Sequence, residues 1–162
     1  MTTPIFAAPP PEDDPPVEPQ GVTDLAAGTA AEHLVCADLL LSGWRAFLAD
    51  QNCPYDVAVD LGKRLVRIQV KSTRKERAIP QRGSYTPAYL WNVRRAGKAG
   101  RRTYADGDFD LLALVALDIR RIAYMPPSAV KQTVHIRPPG SSSGKQFDDY
   151  GFLDAVREVV AR

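Results

Sequence analysis

The sequence predicts an α/β domain, on three observations. An apolar pattern at helical spacing opens the folded part of the chain, alternating apolar and polar runs follow it, and a second amphipathic helical pattern closes it. In chain order this is one helix, an antiparallel three-stranded meander, further strands and a carboxy-terminal helix. The 162 residues are one domain's worth of chain, 44% hydrophobic and 25% charged, which excludes a fibrous, collagenous or wholly disordered protein.

Residues 1–22 stand apart. They hold seven of the fourteen prolines and four acids with no base. Proline donates no backbone hydrogen bond and the segment has little apolar surface to bury, so a disordered, acidic tail is expected. Residues 23–162 then form the folded domain, enough chain to bury roughly two thirds of its unfolded surface.

The first helix is capped by Thr23 or Asp24, carries Leu25, Ala31, Leu34, Val35 and Leu41 at helical spacing, and stops at Gly43. Residues 44–50 read as extended. In 54–61, Tyr55, Val57, Val59 and Leu61 alternate with Asp56, Ala58 and Asp60; in 64–71, Val66, Ile68 and Val70 alternate with Leu65, Arg67, Gln69 and Lys71. Both read as half-buried strands. Between them Leu61-Gly62-Lys63-Arg64 fits a two-residue hairpin loop, with Gly62 at the position that needs a positive φ. That register sets Asp56 opposite Gln69, with Lys71 two residues along on the same face.

Beyond Lys71 the chain turns basic and turn-rich. A strand is expected at 88–94 and a second hairpin from 108–117 and 120–125, ended by Pro126 and Pro127, with Ser128 capping a helical turn. A short strand at 133–136, a flexible Ser/Gly loop at 140–145 and a helix at 150–160 complete the chain. The last should bury Phe152, Val156, Val159 and Val160.

The formal charge of +2 conceals a division. Residues 1–22 carry −4 and 23–62 carry −5, whereas 63–102 carry +12 and 103–162 carry −1. Such asymmetry suggests a polyanionic ligand beside a localised acidic site. The two cysteines, Cys36 and Cys53, read as reduced thiols. No apolar run reaches membrane-spanning length and the amino terminus lacks the character of a secretory signal, so a cytoplasmic protein with no membrane partner is expected.

Gly28-x-x-x-Glu32 on the helix, Pro54-Tyr55-Asp56 on the second strand and Gln69-Val70-Lys71-Ser72-Thr73 on the third carry the chemistry. With Tyr104-x-x-Gly107-x-x-Asp110 and Tyr124-x-x-Pro127, this order resembles the PD-(D/E)xK nuclease superfamily, and within it the intron-encoded, Holliday-junction-resolvase-like group with Gln in the D…QxK motif. The resemblance implies a restriction-endonuclease-like core. It also implies a metal-dependent DNA endonuclease using Mg²⁺, with Mn²⁺ able to substitute.

Phosphodiester hydrolysis needs an activated water, a Lewis acid on the scissile phosphate and a cation to meet growing negative charge. Mg²⁺ takes oxygen ligands. In the resembling group's arrangement Asp56 is the central ligand, Gln69 and the Val70 carbonyl add neutral oxygens, and Glu32 supplies the second negative charge. Lys71 orients the attacking water and stabilises the developing charge. Glu32 shares a helical face with Gly28, Val35, Cys36 and Leu39, a stripe that should turn inward, where a carboxylate is costly unless a cation answers it. An exposed Asp56–Lys71 pair of little energetic weight is the plainer alternative. His33 and His135 lack a second ligand at metal spacing and read as surface residues.

Arg94, Arg95, Lys98, Arg101 and Arg102, interleaved with Gly97 and Gly100, form a basic segment suited to a phosphate backbone; Arg74 and Lys75 join it, together with Arg67, Arg77 and Arg82. Tyr85, Tyr89 and Trp91 fit either the core or base-stacking platforms. A homodimer or homotetramer would bring two sites to the two strands of DNA. Two rival functions remain: a nuclease fold that binds DNA without cutting it, and an interaction protein recruited through its Pro-rich tail.

Overall fold

The computed structural model describes residues 21–81, 84–93, 107–130 and 132–161. Helix α1 (Asp24–Leu41) begins where the Thr23 side chain accepts the Ala26 N–H at 3.1 Å. It ends in a Schellman motif: Gly43, at φ +87°, donates to the Leu40 carbonyl, and Trp44 donates to that of Leu39. Its buried residues are Ala27, Ala31, Val35, Cys36 and Leu39. Leu25 and Leu41, expected in the apolar stripe, are instead 82% and 89% exposed, because they lie in the first and last turns, beyond the part of α1 that meets the core.

Strands β1 (Arg45–Leu48), β2 (Val57–Asp60) and β3 (Leu65–Thr73) form the expected antiparallel meander. The hairpin register also agrees with expectation: Val57 pairs with Ile68 and Asp60 with Leu65. Gly62 adopts φ +86° and its N–H donates to Asp60 Oδ1 at 2.6 Å. Strand β2 is not half-buried, however; Val57, Ala58 and Val59 are all fully buried, since the sheet is covered on both faces there.

Strand β4 (Arg77–Gln81) lies in the stretch expected to be turns and pairs antiparallel with β5 (Ser84–Asn92). Its basic sequence, interrupted by Pro80, hides it from a pattern of alternation, and as an edge strand it tolerates that proline. Strand β6 (Leu111–Ala116) then returns to lie parallel to β3, and β7 (Arg121–Met125) pairs antiparallel with β6. A 3₁₀ turn follows at Pro127–Ala129, started by Pro126 rather than by Ser128. Strand β8 (Thr133–Ile136) pairs with β5, and a second 3₁₀ turn (Phe147–Asp149) leads to α2 (Phe152–Val160).

The result is a five-stranded sheet, β1-β2-β3-β6-β7, and a three-stranded sheet, β4-β5-β8. Helices α1 and α2 pack on one face of the larger sheet through Val35, Leu39, Phe152, Val156 and Val159 against Val57, Val66, Ile68, Leu111 and Val115. On the other face Tyr89, Trp91, Ile136 and Phe147 pack against Leu114, Ala116, Ala123 and Met125. Every residue of β6 is therefore buried, which is why it reads as a continuous apolar run. Val160 is 49% exposed, a correction to its expected core position; Ala155 fills that role. Tyr89 and Trp91, each 2% exposed, are core residues and not stacking platforms.

Candidate active site

The functional side chains gather at the middle of β3, where Asp56 meets Gln69 and Val70. Asp56 sits one residue before β2, its backbone fixed on both sides: its N–H donates to the Ile68 carbonyl and its carbonyl accepts from Ala49, at 2.9 and 2.8 Å. The register set at the Gly62 turn carries through, so the Asp56 carboxylate meets Gln69 and Val70. Asp56 Oδ2 accepts the Val70 N–H at 2.7 Å and also the Gln69 amide. The same Gln69 nitrogen lies 3.4 Å from the Val70 carbonyl oxygen. Two oxygens, one charged and one neutral, thus converge on one point.

Burial raises the Asp56 pKa above the ordinary carboxylate range, against the opposing pull of the Val70 N–H, the Lys71 charge and the Gln69 amide. Glu32 is raised as well, first by burial and then by repulsion from Asp56, with His33 easing it. The two carboxylates are therefore near enough to feel each other. Their shared environment favours added positive charge, whether a proton or a bound cation. His33 and His135 are exposed, and among the described residues there is no cluster of three His, Cys, Asp or Glu side chains suited to a metal. Any ion would have to rely on two carboxylates with amide and backbone oxygens.

Helix α1, which carries Glu32, is held to the sheet at both ends. Tyr124 on β7 donates its hydroxyl to Asp38 at 2.7 Å, and burial with that carboxylate drives the Tyr124 pKa upward. Arg74, just after β3, donates to Asp24 and to the Val22 carbonyl, both at 2.8 Å. Arg74, Lys75 and Arg77 line a cleft of about 490 Å³ together with Lys71, Ser72 and Thr73 from β3 and Asp24 and Ala27 from α1.

Other members of the basic run are placed differently. Arg67 is engaged within the fold: its guanidinium forms two 3.1 Å contacts with Asp110 and a 2.6 Å hydrogen bond to the Gly107 carbonyl, while its backbone N–H also donates to Asp110. Its guanidinium is thus paired within the fold while its side chain stays 32% exposed, which sets it apart from the rest of the basic run. Arg94, Arg95, Lys98, Arg101, Arg102 and the expected tail residues 1–20 lie outside the described residues. Asp24, which the sequence offers only as a helix cap, lines the cleft because of how α1 crosses β3, which no local pattern encodes. Cys36 and Cys53 are free thiols. Among the described residues, no helix is long and apolar enough to cross a membrane.

A family model described as PD-(D/E)XK endonuclease matches residues 24–150. Among solved structures, the chain is similar to a bacterial homing endonuclease, I-Ssp6803I, with a TM-score of 0.66 and 19% identity over 88% of this chain and 98% of that one. That similarity bears on the fold. No curated protein sequence is significantly similar to this chain.

Proposed function

The chain belongs to the PD-(D/E)XK endonuclease family, and from that premise we propose that it hydrolyses DNA phosphodiester bonds with a divalent metal ion, Mg²⁺ or Mn²⁺, at the middle of β3. The observation that carries this reading is the convergence of Asp56 Oδ2 and the Val70 carbonyl on the Gln69 amide, beside a second carboxylate, Glu32, whose charge Asp56 opposes. Rotation of the Gln69 amide exchanges its nitrogen for its oxygen and completes an all-oxygen donor set of the kind a hard cation prefers. Glu32, Asp56, Gln69 and the Val70 carbonyl would hold the ion, which when bound supplies Lewis acidity at the scissile phosphate and lowers the pKa of an attacking water.

The chain's own residues do the rest. Lys71, on the same strand face as Gln69, orients the water and offers its ammonium to the charge that builds on the phosphate oxygens. The β2–β3 register keeps Asp56 fixed against Val70, so little reorganisation accompanies the reaction. Arg74 and Lys75 in the neighbouring cleft bind backbone phosphates; by their charge in the sequence, Arg94, Arg95, Lys98, Arg101 and Arg102 do the same. A homodimer or homotetramer would present two such sites to a duplex.

The test is cleavage of supercoiled plasmid and of branched DNA with Mg²⁺ or Mn²⁺. Cutting by the wild type that is lost in Asp56→Ala and in Lys71→Ala is expected. Salt-sensitive binding that persists without metal, with no cutting under any of these conditions, would identify a DNA-binding protein with an inactive site.

A further inference from the structure

The cleft beside Lys71 contains an acid with no place in the chemistry. Among the described residues lining it, Lys71, Arg74, Lys75 and Arg77 are cationic and Asp24 alone is anionic. Asp24 Oδ1 contacts Arg74 Nη2 at 2.8 Å, with the Asp24 side chain fully exposed and that of Arg74 half exposed. Only Ser72 and Thr73 separate Arg74 from Lys71, so whatever anion sits on Arg74 lies along the cleft from the proposed reaction centre.

We propose that Asp24 is an internal competitor for DNA phosphate: its carboxylate occupies the Arg74 guanidinium in the free protein and is displaced by a phosphate flanking the scissile one. This rests on the reading of DNA as substrate. The exposure of Asp24 makes the exchange easy, since the carboxylate stays hydrated whether or not it touches Arg74, and an exposed ion pair of this kind is worth little. A phosphate diester offers the guanidinium an equivalent pair of oxygens, together with release of condensed counterions that Asp24 cannot match. Arg74 is meanwhile held at the cleft by the Val22 carbonyl, which bonds the same nitrogen and keeps the side chain in place as the anion changes. The effect is to weaken binding to arbitrary DNA, so that only a duplex seated along the cleft engages Arg74 in full.

The test is anisotropy of a labelled duplex of arbitrary sequence, without divalent ions, using the full chain over a range of salt. Asp24→Asn should bind about two- to fivefold more tightly than wild type at low salt. Arg74→Ala should bind more weakly, with a salt slope shallower by about 0.9. The double variant should match Arg74→Ala alone. Asp148→Asn, which removes the same charge from an exposed pair with Arg121, is the control and should bind like wild type. The proposal fails if Asp24→Asn binds like wild type, if its gain survives in the Arg74→Ala background, or if Asp148→Asn gains as much. Should the wild type itself not bind the duplex, the DNA reading falls, and this inference with it.

Discussion

Strand β3 serves two carboxylates in opposite ways. Near its start, the Arg67 N–H and guanidinium both reach Asp110, and Arg64 adds a longer contact at 3.7 Å. Burial pushes the Asp110 pKa upward, but the hydrogen bonds and charge of Arg67, with Arg64, outweigh it, and the carboxyl lies below its ordinary range. Two to three residues farther along β3, Asp56 receives the Val70 N–H and the Gln69 amide, yet burial wins and its pKa is raised. The difference is a guanidinium. Asp110 is a completed ion pair that fixes how β6 enters beside β3, whereas Asp56 has polar partners and a Lys71 charge but remains short of positive charge. The fold thus pairs one carboxylate with a guanidinium and leaves the other, at the proposed metal site, with amide partners and a more distant charge.

The largest effect should fall on activity. Replacing Asp56 with Ala, or Lys71 with Ala, should lower cleavage by about 10²–10³-fold or more, because the first removes the carboxylate that would hold the metal ion and the second the ammonium that would meet charge developing on the phosphate. Asp110→Asn should leave the site residues in place and cost stability instead. It leaves the Arg67 guanidinium short of its counter-charge at a site where the Asp110 side chain is only 12% exposed, an effect of about 2–3 kcal/mol in urea unfolding. Asp56→Asn should be neutral or stabilising in the same measurement, since it removes an incompletely compensated charge while keeping an acceptor for Val70. A matching loss of stability in the two variants would erase the contrast.

A next, smaller effect separates two glycines. Gly62 holds φ +86°, so Gly62→Ala should cost about 1–2 kcal/mol, although a Cβ there would meet no atom within 4 Å. Gly28 lies inside α1, also with open space around a built Cβ. Gly28→Ala should therefore stabilise the protein by about 0.5–1 kcal/mol. A Gly28→Ala variant that folds better but cuts DNA less would assign that glycine to ligand approach and not to packing.

These contrasts bear on what a sequence discloses. The α1 boundaries, the β2–β3 register and the meeting of Asp56 with Gln69 were legible because each is local: a capping threonine, a glycine at a helix end, a glycine in a two-residue turn. Strand β4 was not, because a basic edge strand broken by Pro80 owes its pairing to β5 and carries no alternation of its own. The parallel pairing of β3 with β6 was equally hidden, since it depends on a crossover through the second sheet. For the same reason Arg67 passed for part of the basic surface: its partner Asp110 is 43 residues away in sequence. Roles fixed within a hairpin could be read, and roles fixed across the crossover could not.

The smallest effect is the response of stability to pH, and it divides the two carboxylates by sign. Asp110 has a folded pKa below its unfolded one, so its contribution is present above the ordinary carboxylate value and is lost as pH falls through the lowered value. Asp56 and Glu32 have folded pKa values above their unfolded ones. Between the ordinary and the raised value the folded state holds more protons than the unfolded, so stability falls as pH rises through that window. The windows lie on opposite sides of the ordinary carboxylate value, and the variants should remove them independently. Asp110→Asn should flatten the acid side of a plot of unfolding free energy against pH, and Asp56→Asn should reduce the decline on the other side. Mg²⁺ should offset that decline in the wild type by binding the ionised carboxylates, and should do less in Asp56→Asn. An Asp56→Asn profile that keeps the full decline, with an unchanged response to Mg²⁺, would show that Asp56 is satisfied by its protein partners alone and is not held ready for a cation.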